Sequence, residues 1–312
     1  RMLWFLYDIL NLMVQNPTPY NPRPTTCNFA FFGTDEFAVI VLYELKKAGF
    51  IPSLIITAPD SRKGRGMILT PPPVKAWAEK HGIKFLQPQK LDASFAYNLK
   101  PITYNLFIVA SYGKILPKEI LAIPPRGALN VHPSLLPLYR GPSPIQTQIL
   151  ESAEPGVTIM LMDEEVDHGP IVAQKALGFN LPAGKAGIYD LRFKNLRDEL
   201  AKLGGRLLAQ TIPDWIAGNT KPQEQKHNIA TYTKIVEKED GLIHPEKDAP
   251  EEMYRKFRAF SLWPGTYFFT ERTGKKIRVK ITDAELKDGQ FIIKKIIPEG
   301  KKEIAYDAFL KN

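Results

Sequence analysis

The chain has 312 residues, 44% of them hydrophobic and 24% charged, an ordinary balance for a globular protein and enough chain for about two domains of ~150 residues. Its single cysteine, Cys27, excludes an intrachain disulfide, argues against a thiolate metal site and fits a reducing compartment. The formal net charge of +9 favours a polyanionic partner over a basic one.

In chain order, residues 1–14 (RMLWFLYDILNLMV) are apolar, but shorter than the ~20 residues a membrane span needs and interrupted by Asp8 and Asn11. No small-residue cleavage site follows, and the proline-rich run at 16–24 breaks all periodicity. Residues 1–26 are therefore expected to be an extension outside the fold, and no membrane partner is expected. CNFAFFG (27–33) reads as a buried strand. Thr34 is a candidate cap for the next helix, with Asp35 and Glu36 in its first turn and Gly49 as its stop. SLIITA (53–58) is a second strand, so the chain opens with a β-α-β unit and a parallel sheet.

A long basic loop rich in Gly and Pro (59–75) follows, then a helix at 74–82 and a strand at IKFLQ. LFIVASYG (106–113) and GALNVHP (127–133) are buried strands running into turns, and SPIQTQILES is a helix. GVTIMLMD and GPIVAQKALGFN are two more strands, and 186–218 is a long amphipathic helix or helix pair. After a polar linker at 218–228, one helix and short strands with hairpin spacing read as a small β-rich domain, barrel-like, over 229–312. The expected layout is thus an α/β domain with a Rossmann-like parallel sheet over 27–217 and a small barrel-like β domain after it.

Charge is uneven along this layout. Residues 61–90 carry seven Lys/Arg, including Arg62, Lys63, Arg65 and Lys75, against Glu79 alone, and residues 270–302 carry ten against five acids. Two solvated basic faces are one reading, and a polyanion-binding surface is the other.

Three features fall at strand ends, where open α/β sheets bind ligands. Asn130 and His132 share one strand face, and Pro133 ends the ladder, which places both at a rim rather than in the core. ASYGKILP (110–117) turns at Gly113, and MDEEVDHGPI (162–171) carries four carboxylates, Asp167 among them. Each alone is more often punctuation than chemistry. No histidine spacing suits a metal, and neither a P-loop nor GxGxxG is present. An amide, an imidazole and a carboxylate together suit acyl transfer to an amine without a covalent intermediate. Asn130 and His132 would donate to the oxyanion, while Asp167 would fix the His132 tautomer and accept the amine's proton, directly or through water.

NVHPSLLPLYRG followed by GVTIMLMDEEVDHGPI resembles the folate-dependent formyltransferase family, whose Asn, His and Asp fall on Asn130, His132 and Asp167. FFGTDEFAV, RKGRGMILTPPPVK and KEDGLI…RKFRAFSLWPGTYF resemble the branch of that family that acts on a charged tRNA. The likeness runs from about residue 28 to the end, with departures at Pro133, Leu138 and His168. It implies transfer of a formyl group from 10-formyltetrahydrofolate, with no metal, to the α-amino group of methionine on initiator tRNA. Folate contacts would fall on Ser134, Leu135, Leu136, Pro137, Tyr112 and Gly113, and tRNA contacts on Arg62, Lys63, Arg65 and Lys75. A cytoplasmic monomer is implied, with an OB-like tRNA-binding domain over 229–312. A small amine acceptor, such as a nucleotide sugar or purine precursor, is the alternative. The basic loop speaks against it. A non-enzymatic RNA-binding protein on the same fold is a third reading, and the intact triad speaks against that.

Overall fold

The structure, a computed structural model, describes residues 27–64, 66–100, 103–178, 191–272 and 274–311. The expected extension at 1–26 lies outside the described residues, as does Arg65.

β1 (Phe29–Gly33), α1 (Glu36–Lys47) and β2 (Leu54–Ile56) form the opening β-α-β unit. β3 (Ser61–Lys63) and β4 (Ile68–Thr70) pair antiparallel, so the basic loop is a hairpin standing apart from the main sheet. Then come α2 (Pro73–Lys80), β5 (Phe85–Leu86), α3 (Ala93–Leu99), β6 (Leu106–Ala110), α4 (Lys118–Leu121), β7 (Ala128–His132), α5 (Pro144–Glu151), β8 (Gly156–Leu161), β9 (Ile171–Ala176) and α6 (Phe193–Ala217). Helices α3 and α4 are short and were not among the expected elements. α6 is a single helix of 25 residues.

The seven-stranded sheet has the order β5-β2-β1-β6-β7-β8-β9. The first five strands are parallel, whereas β8 runs antiparallel to both β7 and β9. The sheet is therefore mainly parallel, as expected, with an antiparallel pair at one edge. The segment between β8 and β9 is too short for a crossover, so the two close as a hairpin. Alternation along β1 sends Phe29 and Phe31 into one core layer, under α1, α2 and α6, and Ala30 and Phe32 into the other, under α3 and α4. α6 approaches closely because Gly204 and Gly205 face Val131, Val157 and Glu44; a Cβ at either would stand 2.6 Å from a neighbour.

The C-terminal part is an antiparallel sheet, β10 (Tyr267–Arg272), β11 (Lys275–Lys287), β12 (Gln290–Pro298) and β13 (Ile304–Ala305), with α7 (Pro250–Ala259) and α8 (Tyr306–Lys311). A register shift near Asp283 bends β11. Its own core contains Ile243, Phe257, Val279 and Ile296, while Ala259 and Phe260 reach into the first core and fasten the two parts together. No helix among the described residues is long and apolar enough to cross a membrane.

Candidate active site

The strand order reverses between β1 and β6, and the candidate residues lie at the carboxyl edge beside that switch point. Asp35 caps α1 through Oδ1, accepting from the Phe37 and Ala38 amides at 3.0 and 3.3 Å, while Oδ2 accepts from Ser111 Oγ at 2.7 Å. Thr34 donates from its amide to the Ser111 carbonyl and from its hydroxyl to the Tyr112 carbonyl. These bonds stitch the turn after β6 to the end of β1. The turn itself needs left-handed backbone at Ser111 (φ 46°) and Gly113 (φ 78°). The Tyr112 ring sits edge-on to Phe32 in the second core, and burial pushes its hydroxyl up to about 12. Gly113 and the backbone of the turn therefore face the edge, and the Tyr112 ring does not.

Asn130 is half-buried, but His132 is only 4% exposed, so the expected rim position is corrected for the histidine. The chain folds back after the Pro133–Pro137 turn and closes over it: His132 Nε2 lies 3.0 Å from the Tyr139 carbonyl. A carbonyl only accepts, so Nε2 carries a proton. Nδ1 faces Asp167 Oδ1 at 3.5 Å, and Asn130 Nδ2 donates to that same oxygen at 3.4 Å. Both contacts are long, and the two side chains converge from β7 on one point. Asp167 Oδ2 accepts from the Gly141 amide at 2.8 Å. Asp167 also holds left-handed backbone (φ 50°), uncommon for a residue other than glycine. The structure thus brings Asn130, His132 and Asp167 together from two strand ends.

The other candidates separate. Ser134 is fully buried and donates to the Leu138 carbonyl at 2.6 Å, and Leu136 lies in the core. Thr158 and Gln174 pin the turn from β8 and β9, through the carbonyls of Ser134 and Leu136. Leu135 and Pro137 are the half-exposed members, so only they can offer side chains to a ligand. Arg62 is exposed at the β3–β4 hairpin and donates to the Met67 carbonyl at 3.1 Å. Lys75 departs from the expectation of a free phosphate-binding cation. Its ammonium sits on Asp60 at 2.8 Å with the side chain largely covered. Hydrogen bonds from Gln87 and Lys75 hold the Asp60 carboxyl below its usual range.

Sequence reasoning missed the partners that frame the triad. Arg140 is 1% exposed and donates to Gln225 Oε1, to the Tyr232 hydroxyl and to His227 Nδ1. His227 stacks on His168 at 4.1 Å, and His168 in turn meets Asp163 at 2.7 Å. Gln225, His227 and Tyr232 come from the expected linker and the stretch after it, which lie along the site as a strap. Polar residues without periodicity carry no signal of such a role. On the far side, Lys118 after the β6 turn meets Glu164 of the β8–β9 loop at 3.0 Å, and Ile115 and Val166 are exposed apolar residues on those same two segments. Among the described residues, no group of three or more His, Cys, Asp or Glu could hold a metal ion.

Residues 27–182 match the family described as "Formyl transferase", which makes this α/β fold a group-transfer domain. A methionyl-tRNA formyltransferase of Chloroflexus aurantiacus is 43% identical over 241 residues, covering 77% of this chain and 75% of that protein. One from Thermotoga maritima is 41% identical over 242 residues, covering 77% and 74%. The chain belongs to the methionyl-tRNA formyltransferase family. Among solved structures, the methionyl-tRNA formyltransferase of Clostridium thermocellum superposes with a TM-score of 0.56 at 17% identity, over 89% of this chain and 99% of that one. HypX of Aquifex aeolicus in complex with tetrahydrofolic acid gives 0.60 at 18% identity, over 91% of this chain and 46% of that one. These last two likenesses are of fold.

Proposed function

We propose that the protein transfers the formyl group of 10-formyltetrahydrofolate to the α-amino group of methionine esterified to initiator tRNA. Family membership sets the reaction, and the convergence of Asn130, His132 and Asp167 at the sheet's carboxyl edge supports the chemistry. The amine attacks the formyl carbon, and negative charge develops on its oxygen. Asn130 Nδ2 and a protonated His132 Nδ1, the ring nitrogen not spent on the Tyr139 carbonyl, donate to that oxygen, and bound donor and acceptor exclude water, which is where such donors are worth most. Asp167 takes the amine's proton, directly or through a water, and returns it to the folate nitrogen as the old C–N bond breaks. No acyl-enzyme is required, because donor and acceptor are both held and the gain is one of orientation.

The folate is held between the turn after β6, with Gly113 and Ile115, and the β8–β9 loop, with Val166. Leu135 and Pro137 form the wall beside it, Ser134 and Leu136 shape that wall from inside, and Tyr112 supports the turn from the core. Arg62 and Lys63 of the hairpin, together with Arg65, meet the acceptor end of the tRNA. Lys75 fastens the base of that hairpin. The basic strands β11 and β12, within the domain from residue 229 onward, offer further phosphate contacts. The protein works as a monomer in the cytoplasm.

The test is formylation of charged initiator tRNA by the purified protein with 10-formyltetrahydrofolate. His132→Ala and Asn130→Ala should each lower kcat roughly 10²–10³-fold with the fold intact. A His132→Ala enzyme with parental turnover would sink the assignment. Formylation of a small amine by the full-length protein, with no turnover of charged tRNA, would move the acceptor away from tRNA.

A further inference from the structure

We infer that Gln225 is a positioning residue for Asp167, and that it fixes the carboxylate by locking together the two segments that hold it. This rests on the proposed role of Asp167. The Gln225 side chain is 4% exposed and uses both ends of its amide. Nε2 donates to the carbonyl of Asp167 at 2.9 Å and to that of Gly169 at 2.7 Å. Oε1 accepts from Arg140 Nε at 3.2 Å and Nη2 at 2.7 Å. Only one orientation of the amide suits both sides, since two carbonyls can only accept and a guanidinium can only donate.

The consequence is a closed circuit. The backbone of Arg140 leads directly into Gly141, whose amide holds Asp167 Oδ2, and it follows directly from Tyr139, whose carbonyl holds His132 Nε2. Segment 139–141 thus grips both the histidine and the carboxylate. Gln225 ties that segment, through the Arg140 side chain, to the backbone of Asp167 itself. The strap that carries Gln225 is secured on both flanks. Gln223 and Ile171 exchange two backbone hydrogen bonds at 2.7 Å, while Arg140 bonds the Thr231 carbonyl at 2.9 Å and the Thr233 amide at 2.7 Å. Asp167 is held in left-handed backbone, a conformation that persists where surroundings over-determine it, and the two bonds from Nε2 fall on its own carbonyl and on that of Gly169.

Gln225 therefore has two separable duties, one toward the Arg140 guanidinium and one toward the 167–169 carbonyls. Gln225→Glu separates them. It keeps an acceptor for Arg140 and adds charge complementarity, but sets a carboxylate oxygen against two carbonyls in place of the donor. The experiment measures kcat and both KM values for full-length Gln225→Glu, the melting temperature, and the ¹⁵N resonances of the His132 ring. The expected result is a fall in kcat of about 10–100-fold with KM values little changed, and displaced His132 resonances. In an Asp167→Asn background the same change should add no further loss. If glutamate unsettles the fold, Gln225→Met fills the same space without the donors and should give the same kinetic result. Parental kcat in Gln225→Glu, a loss confined to KM, or losses that multiply with Asp167→Asn would each overturn the inference. Parental kcat in Asp167→Asn alone would instead overturn the role assigned to Asp167, whatever Gln225 does.

Discussion

Replacing Gly169 by alanine tests how closely the loop after β8 is clamped. A Cβ at 169 would stand 2.0 Å from the Leu161 carbonyl oxygen, with the Leu161 carbonyl carbon at 3.1 Å and the Asp163 amide nitrogen at 3.3 Å. Cβ contacts below 3.0 Å are essentially never seen, so the two segments must part by about 1 Å at the least. Leu161 cannot give way cheaply, because it is paired with Leu129 on β7 and its amide bonds the Pro170 carbonyl. The loop moves instead, carrying Asp167, two residues upstream, and pulling the Gly169 carbonyl off Gln225. A 1 Å misplacement of a reacting group costs about 10²-fold in rate, or roughly 2.7 kcal/mol in the barrier. Single-turnover formylation at saturating folate and tRNA reads this directly, with the melting temperature as a control on the fold. The expected result is kcat down about 10²-fold with KM for the tRNA within about twofold. An alanine enzyme that folds and turns over like the parent would show that the loop tolerates displacement, and the clamp argument would fall.

Three further outcomes follow from the geometry. Arg62→Ala and Lys63→Ala should each weaken tRNA binding and reduce the slope of log K against log salt by about 1, measured by titration across a salt series; an unchanged slope would remove the hairpin from the interface. Asp60→Asn should lower the melting temperature at neutral pH. A carboxyl held below its ordinary value by Gln87 and Lys75 stabilises the fold above the unfolded value of about 3.9 and ceases to as pH falls through the folded one. The gap between the two proteins should therefore close in acid, and a gap that persists there would contradict the ion-pair account. Leu200→Ala, at a fully buried position of α6, should cost about 2–5 kcal/mol in denaturant unfolding, and a cost under about 1 kcal/mol would mean that α6 repacks.

The parts of the site that sequence made legible are those written in local pattern. Asn130 and His132 lie on one face because strand periodicity is two, and the run into proline marks where β7 ends. Asp167 is a candidate in the acidic loop beside Gly169 and the family likeness falls on the same residue, but a loop of four carboxylates does not by itself say which one turns inward. The burial of His132 was not legible, because it depends on the fold-back of Leu138–Gly141, and nothing in NVHPSLLP announces its direction. The antiparallel β8–β9 pair was missed for a related reason. A buried strand reads the same in either direction, and only the length of the connection tells them apart. The Lys75–Asp60 pair defeats a count of charges, which cannot show that a cation is already neutralised. Gln225 and Arg140 form a contact between residues 85 positions apart, made of polar groups with no periodicity, so only the assembled fold displays it.

The strap along residues 219–236 has a consequence for modularity. A cut at Gly218 follows the end of α6 and looks like a clean seam, yet it would remove Gln225, His227 and the Thr231–Thr233 clasp from a site whose named triad lies wholly upstream. A transplantable catalytic unit would have to extend past Thr233. Chimeras between relatives spliced at the helix terminus would join one protein's triad to another's clasp. During synthesis, too, the triad is complete at Asp167, but the segment 139–141 that grips it stays untied to the Thr231–Thr233 clasp until some sixty-five more residues have emerged.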